Sequence, residues 1–217
     1  MTKSILTRDQ KNVRKEIASE KYFAEFYLSG GTALSEYYLH HRLSDDLDFF
    51  SFDVINTVQL HAFMQGLKEK LPVKSIREQH LYDRNIFFLT FPKGELKIEF
   101  TKYPFRALGK RKREDGILID SLRDIAANKL MALLDRFDPK DFVDLYILLQ
   151  QFTLKKIKSD AEKKFGTTID DLYLGTELMK VRRISALPKM FINISIDAMK
   201  DFFMDTAKKL GKNIIIE

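Results

Sequence analysis

The spacing of apolar positions divides the chain into a mixed first part and a helical second part. Apolar residues at helical intervals, among them Val13, Ile17 and Phe23, predict an amphipathic helix over 8–25. Tyr27 and Leu28 read as a brief strand. The pattern turns helical again from Thr32 to about His40, where Leu34, Tyr37 and Tyr38 are available for packing. Residues 42–44 form a connection, and 46–52 read as a strand. A helix over 57–70 stops before Pro72, and strands follow at 73–79, 85–91 and 95–103. Pro92-Lys93-Gly94 is a turn that makes the last two a hairpin. Beyond a basic loop at 106–116 nearly everything is helical: 121–137, 139–151, 154–165, 169–180 and 197–210. The expectation is an α+β protein, with a small mixed sheet in residues 1–105 and a helical bundle in 106–217. The two form separate domains or share one core.

Composition narrows the class. With 217 residues, 45% hydrophobic and 31% charged, the chain can bury a real core. No run of apolar residues is long enough for a membrane span, and the N-terminus lacks the apolar segment of a secretory signal. The absence of cysteine removes disulfides, thiol catalysis and cysteine-built zinc sites. A cytoplasmic protein is expected. The net charge of +6 is clustered, at Lys102, Arg106, Lys110, Arg111, Lys112 and Arg113, at Lys155, Lys156, Lys158, Lys163 and Lys164, and at Lys180, Arg182 and Arg183. Such clusters suit a polyanion bound through its phosphates, and they equally suit a solvated face.

Candidate chemistry begins at Asp46 and Asp48. In a strand, residues two apart point to one side with α-carbons about 6–7 Å apart, while Leu47 and Phe49 point to the other. Carboxylates so placed repel unless a cation lies between them, and magnesium with its oxygen ligands meets that demand. On the 95–103 strand, Glu95, Lys97 and Glu99 share a face opposite Leu96, Ile98 and Phe100. If that strand neighbours Asp46–Asp48, Glu99 becomes a third acid for two-metal phosphoryl chemistry. Upstream, Gly30-Gly31 allows close backbone approach, and Thr32 stands at a helix start that favours phosphate.

The helical half places charge on apolar faces. Lys129 falls in the middle of the arc made by Leu122, Ile125, Ala126, Leu130, Leu133 and Phe137. A lysine there must snorkel, pair or meet an anion. Ser121 and Asp124 form an S-x-x-D capping box, which gives Asp124 a structural role. Asp138 and Pro139 start the next helix as N-cap and first residue, Asp141 lies inside its apolar arc, and Asp144 lies at the margin. Asp141 is either an acid complementing the helix dipole and pairing with Lys129, or half of an inward-facing pair at a nucleotide site. The four histidines make no metal pattern, and there is no Ser-His-Asp set or P-loop.

Four blocks carry a resemblance: GGTAL at 30–34, HRLSDDLDFF at 41–50, KIEF at 97–100 and DIAANKLMALLDRFDPKDFVDLYILL at 124–149. In order and rough spacing they resemble the AbiEii/AbiGii-type nucleotidyltransferases, toxins of bacterial toxin–antitoxin and abortive-infection systems with a polymerase-β-like nucleotidyltransferase domain. The resemblance implies transfer of a nucleotide from an NTP to an acceptor hydroxyl, with RNA such as tRNA as acceptor and a cognate antitoxin as partner. It implies Asp46, Asp48 and Glu99 as ligands of a two-ion Mg2+ site, and Gly30, Gly31, Thr32, Arg42 and Ser44 along the nucleotide. Lys129 would neutralise phosphate charge, and Asp141 or Asp144 would orient it or act as base. Ser29 stands where many relatives carry lysine, and Glu99 where aspartate is common. The other readings are a non-catalytic nucleic-acid or protein-binding module, and transfer to a protein or small molecule.

Overall fold

A seven-stranded mixed sheet carries the first half of the chain. The computed structural model describes residues 4–214, within two units, Met1–Ser121 and Leu122–Glu217. The strands are β1 (Tyr27–Ser29), β2 (Leu47–Ser51), β3 (Ser75–Leu81), β4 (Arg84–Phe91), β5 (Gly94–Lys102), β6 (Lys112–Glu114) and β7 (Ile117–Ile119). Across the sheet they run β3-β4-β5-β2-β1-β7-β6. β2 lies parallel to β5 and antiparallel to β1, while β1 lies parallel to β7.

Alternation decides what β2 buries, and the apolar side of β5 is buried with it. Leu47 and Phe49 of β2 and Leu96, Ile98 and Phe100 of β5 are buried. Phe49 stands opposite Phe100 in register, and their rings stack at 5.4 Å and 15°. Phe23 and Phe26 close on the same Phe100 ring. Each such ring contributes about 1.5–3 kcal/mol by leaving water, enough to fix β2 against β5 and therefore the opposite, polar face of both strands.

Helix α1 (Arg8–Ser19) starts at a capping box in which Thr7 accepts from the Gln10 amide at 3.2 Å and Gln10 accepts from the Thr7 amide at 2.8 Å. It is shorter than the expected 8–25 because Glu20 takes extended backbone, after which Lys21–Phe23 forms one 3-10 turn. Helix α2 (Gly30–Leu34) begins two residues before the expected Thr32. It passes into a wider turn over Ser35–Leu39 and stops at His40, whose φ is 47°. Helix α3 (Thr57–Lys70) is capped by Asn56 and occupies the crossover between β2 and β3.

The second unit holds α4 (Leu122–Asp135), α5 (Pro139–Leu148), α6 (Leu154–Phe165), α7 (Asp171–Met179) and α8 (Ile196–Ile214). Asp138, Thr153 and Asp170 each accept a backbone N–H at a helix start, and Gly166 ends α6 with φ 63°. Its core gathers Leu130, Leu133, Phe142, Leu145, Leu174 and Phe203, with Phe142 edge-on to Phe203 at 5.5 Å.

Two features depart from the expectation. Residues 112–119, read as loop and helical domain, form the β6–β7 hairpin, so the sheet-bearing unit extends to Ser121 rather than 105. The charged edge strand β6 and the apolar β7 beside it are three residues each, too short for an alternation to be read. Asp124, expected as half of a capping box at the helix start, is fully buried and accepts from Lys164 of α6 at 2.7 Å. Its role is structural, through an ion pair inside the bundle.

Candidate active site

The polar face of the sheet assembles the first-unit residues singled out from sequence. Register sets Asp48 between Ser29 of β1 and Glu99 of β5. Asp46 precedes β2 by one residue and keeps 44% of its side chain exposed, with Lys97 Nζ at 3.5 Å from its Oδ2. The same ammonium lies 3.4 Å from Glu99 Oε2. Burial pulls the Lys97 ammonium down, but the charges of Asp48, Asp46 and Glu99 together raise it above its usual value. The expectation that β5 neighbours β2 is correct, and Glu99 does stand beside Asp48.

Glu99 is differently engaged. Arg84 of β4 donates to both its oxygens, Nε to Oε1 at 2.6 Å and Nη2 to Oε2 at 2.8 Å. Thr101 adds a hydrogen bond to Oε1 at 2.8 Å. Burial pushes the Glu99 carboxyl up, yet the Arg84 fork and Thr101 hold it below its usual value. Among the described residues no group of three or more His, Cys, Asp or Glu side chains is arranged to hold a metal ion.

The glycine turn lies against these acids. A Cβ on Gly30, whose φ is +70°, would sit 2.7 Å from Asp48 Oδ2. A Cβ on Gly31 would sit 2.6 Å from Arg42 Nη2 and 3.0 Å from Ser44 Oγ. Backbone and clearance both call for glycine at position 30, and at 31 an added Cβ would have to displace the Arg42 side chain. Thr32 is buried and its hydroxyl donates to the Asp46 carbonyl, tying the turn to the aspartate strand. Arg42 is 1% exposed and Ser44 is also buried, so both brace the turn from within.

In the second unit the structure joins Lys129 to both acids of α5. Its Nζ lies 2.8 Å from Asp141 Oδ1 and 2.6 Å from Asp144 Oδ2. Arg136 adds a contact to Asp141 Oδ2 at 3.1 Å. The three side chains are nearly sealed, at 9%, 1% and 0% exposure. The arc on α4 led to the Lys129–Asp141 pair; Asp144 turned out to be a full partner rather than marginal.

A search with protein-family models matches residues 14–210 to the family described as Nucleotidyl transferase AbiEii toxin, Type IV TA system. The chain belongs to this family. An uncharacterized protein of Aquifex aeolicus (strain VF5) is 32% identical over 167 residues, covering 74% of this chain and 76% of its own. Among solved structures, a candidate nucleotidyltransferase from H. pylori superposes with a TM-score of 0.61 at 18% identity, covering 96% of this chain and 97% of that one. MenT4, a nucleotidyltransferase toxin of Mycobacterium tuberculosis H37Rv, superposes at 0.50 with 12% identity, covering 92% of this chain and 82% of that one. At these identities the two structures share its fold. Membership of the AbiEii family makes this chain a nucleotidyltransferase toxin, built on an α+β fold.

Two basic residues at this AbiEii-family chain's candidate site, Lys97 and Arg84, carry no distinct signal in the sequence pattern beyond the strand face that Lys97 shares with Glu99. The turn at Pro92-Lys93 pairs Phe91 with Gly94, and that register sets Ile86 opposite Glu99 and Arg84 two residues further along, opposite Thr101 and on the same face. The basic clusters, in contrast, are largely spent inside the AbiEii-type fold. Arg111 stacks on the Tyr27 ring at 3.4 Å and reaches Asp120, and Arg113 donates to the Gly116 and Ala24 carbonyls. Lys156 pairs with Asp160, Lys158 with Asp171, Lys164 with Asp124 and Lys180 with Glu177. No described helix is long and apolar enough to cross a membrane.

Proposed function

We propose that this AbiEii-family toxin transfers a nucleotide from an NTP to an acceptor hydroxyl with the help of Mg2+, at the face formed by Asp46, Asp48 and the Gly30-Gly31 turn. The observation that carries the reading is the closeness of Gly30 to Asp48: the turn's backbone lies so near the carboxylate that no side chain fits between. A triphosphate cradled by that turn would share its cation with the two aspartates. The donor set fits such a cation, since Asp46 and Asp48 offer hard oxygen ligands on one strand and already hold the Lys97 ammonium close to Asp46. A bound magnesium ion would neutralise phosphate charge and polarise the transferred phosphoryl group.

The chain's own residues supply the rest. Gly30 and Gly31 present backbone N–H groups at the start of α2, where phosphate is favoured, and Thr32, Arg42 and Ser44 hold the turn. Lys129 of the second unit is held by Asp141 and Asp144. RNA is the acceptor most consistent with the family, and the exposed Arg106, Lys110, Lys155 and Lys163 are the basic residues available for its phosphates. A cognate antitoxin is the expected protein partner.

Incubation with each α-labelled NTP, Mg2+ and total RNA tests the reading. Label should enter RNA with the wild-type protein and fail to do so with Asp46→Ala or Asp48→Ala. Transfer that survives either substitution, or RNA that stays unlabelled with every NTP, counts against it.

A further inference from the structure

We infer that the sheet face takes a single divalent cation, at Asp46 and Asp48, and that Arg84 and Lys97 supply fixed positive charge where a third carboxylate ligand would otherwise bring in a second ion. The inference rests on the function proposed for this face. It goes beyond that function by assigning Glu99 to Arg84 instead of to metal.

Three observations support it. Both Glu99 oxygens are taken in a forked ion pair with Arg84, and Thr101 adds a further donor to one of them. A carboxylate can bind an arginine fork or turn the same lone pairs to a metal, and this one is 8% exposed, with little room to swing. Lys97 stands on the remaining side, within 3.5 Å of Asp46 and 3.4 Å of Glu99. Three acids facing two cations leave a net charge that one divalent ion more than neutralises, whereas two ions would place four further positive charges beside Arg84 and Lys97.

The fork gives Glu99 a positioning role. It fixes the Arg84 guanidinium, which would otherwise end in solvent from an exposed strand position, in the field of Asp48. Arg84 can then meet phosphate oxygens at the face without moving. Metal ions in larger number would compete with it for the same oxygens.

Mn2+ alone, without nucleotide, is the probe, and the count of bound ions by calorimetry and by the electron paramagnetic resonance of free Mn2+ is the readout. One ion per chain is expected, with Glu99→Gln leaving the count at one and weakening binding far less than Asp48→Asn does. Lys97→Met should tighten binding about tenfold by removing a competing charge. Arg84→Met, which frees the carboxylate without altering it, should raise the count to two. Circular dichroism of each variant confirms that it is folded, and the two variants at Arg84 and Lys97 test the idea even where Glu99→Gln is unstable. Two ions on the wild type, or a Glu99→Gln variant that loses Mn2+ as Asp48→Asn does, overturns the inference. The parent reading fails differently: there Asp46→Asn and Asp48→Asn would leave Mn2+ binding intact.

Discussion

Two groups of acids and lysines stand in this chain, and they use similar residues to opposite ends. On the sheet face, Lys97 stays 28% exposed and Asp46 44% exposed, with Nζ and Oδ2 at 3.5 Å. Between α4 and α5, Lys129 meets Asp141 and Asp144 at 2.8 and 2.6 Å with almost no access to water. An exposed pair at the longer distance gains little from its partner and can exchange it for a ligand. A sealed cluster has lost its hydration and depends on each remaining contact. Carboxylates that are loosely held and open suit chemistry; those that are tightly held and closed keep a structure in place.

Substitutions can break that contrast. Asp48→Asn should lower nucleotide transfer about a thousandfold or more, since the cation's neutralisation of phosphate is worth several kcal/mol. The urea midpoint should move less than for Asp144, because Asp48 is only half-buried whereas Asp144 is fully buried. Asp144→Asn should do the reverse in kind, costing about 3–5 kcal/mol of stability by leaving Lys129 partly unpaired in a closed site. Urea titration followed by circular dichroism reads that loss. Equal stability losses at Asp48 and Asp144 would erase the distinction between the two clusters.

Gly30→Ala lies between these cases. The positive φ costs about 1–2 kcal/mol for an L side chain, and the new Cβ would press on Asp48 Oδ2 from 2.7 Å. Transfer should therefore fall by more than the stability loss accounts for, as judged from kcat on protein shown by melting to be folded.

The smallest expected effect is on pH dependence. The folded-state carboxyl of Glu99 lies below its unfolded value of about 4.5. Its pair with Arg84 thus contributes stability that is fully present above pH 4.5 and is lost as pH falls through the lower folded value. Glu99→Gln, which has no charge to lose, should show a shallower decline in urea midpoint below pH 4.5 than the wild type. Parallel curves would show that the Arg84 pair adds nothing to folding.

Much of the face was legible from local pattern, and particular residues show where legibility stopped. The period of two in 46–52 and 95–103 separated Asp48 and Glu99 from Phe49 and Phe100, and burial follows that division in β2, while Glu99 of β5 is buried with its Arg84 and Thr101 partners. The arc on α4 identified Lys129 as a lysine in need of partners. By contrast the basic run at 110–113 left a polyanion surface and a solvated face equally open, whereas Arg111 and Arg113 serve the fold. Asp120 gave no signal at all, yet it is fully buried, accepts from Ser29 Oγ at 2.9 Å and joins β1 to the segment after β7.

The sequence by itself determined which residues share a side of each element, and, through its family blocks, the class of reaction. Periodicity is a local consequence of backbone geometry, so a few neighbouring residues suffice to express it. Only the tertiary structure decided which charge each acid meets. Ser29 and Asp120 are 91 residues apart, and Lys164 and Asp124 are 40 apart. Such partners are selected by strand order and helix packing, where burying an unpaired charge costs more than bringing a distant one to it.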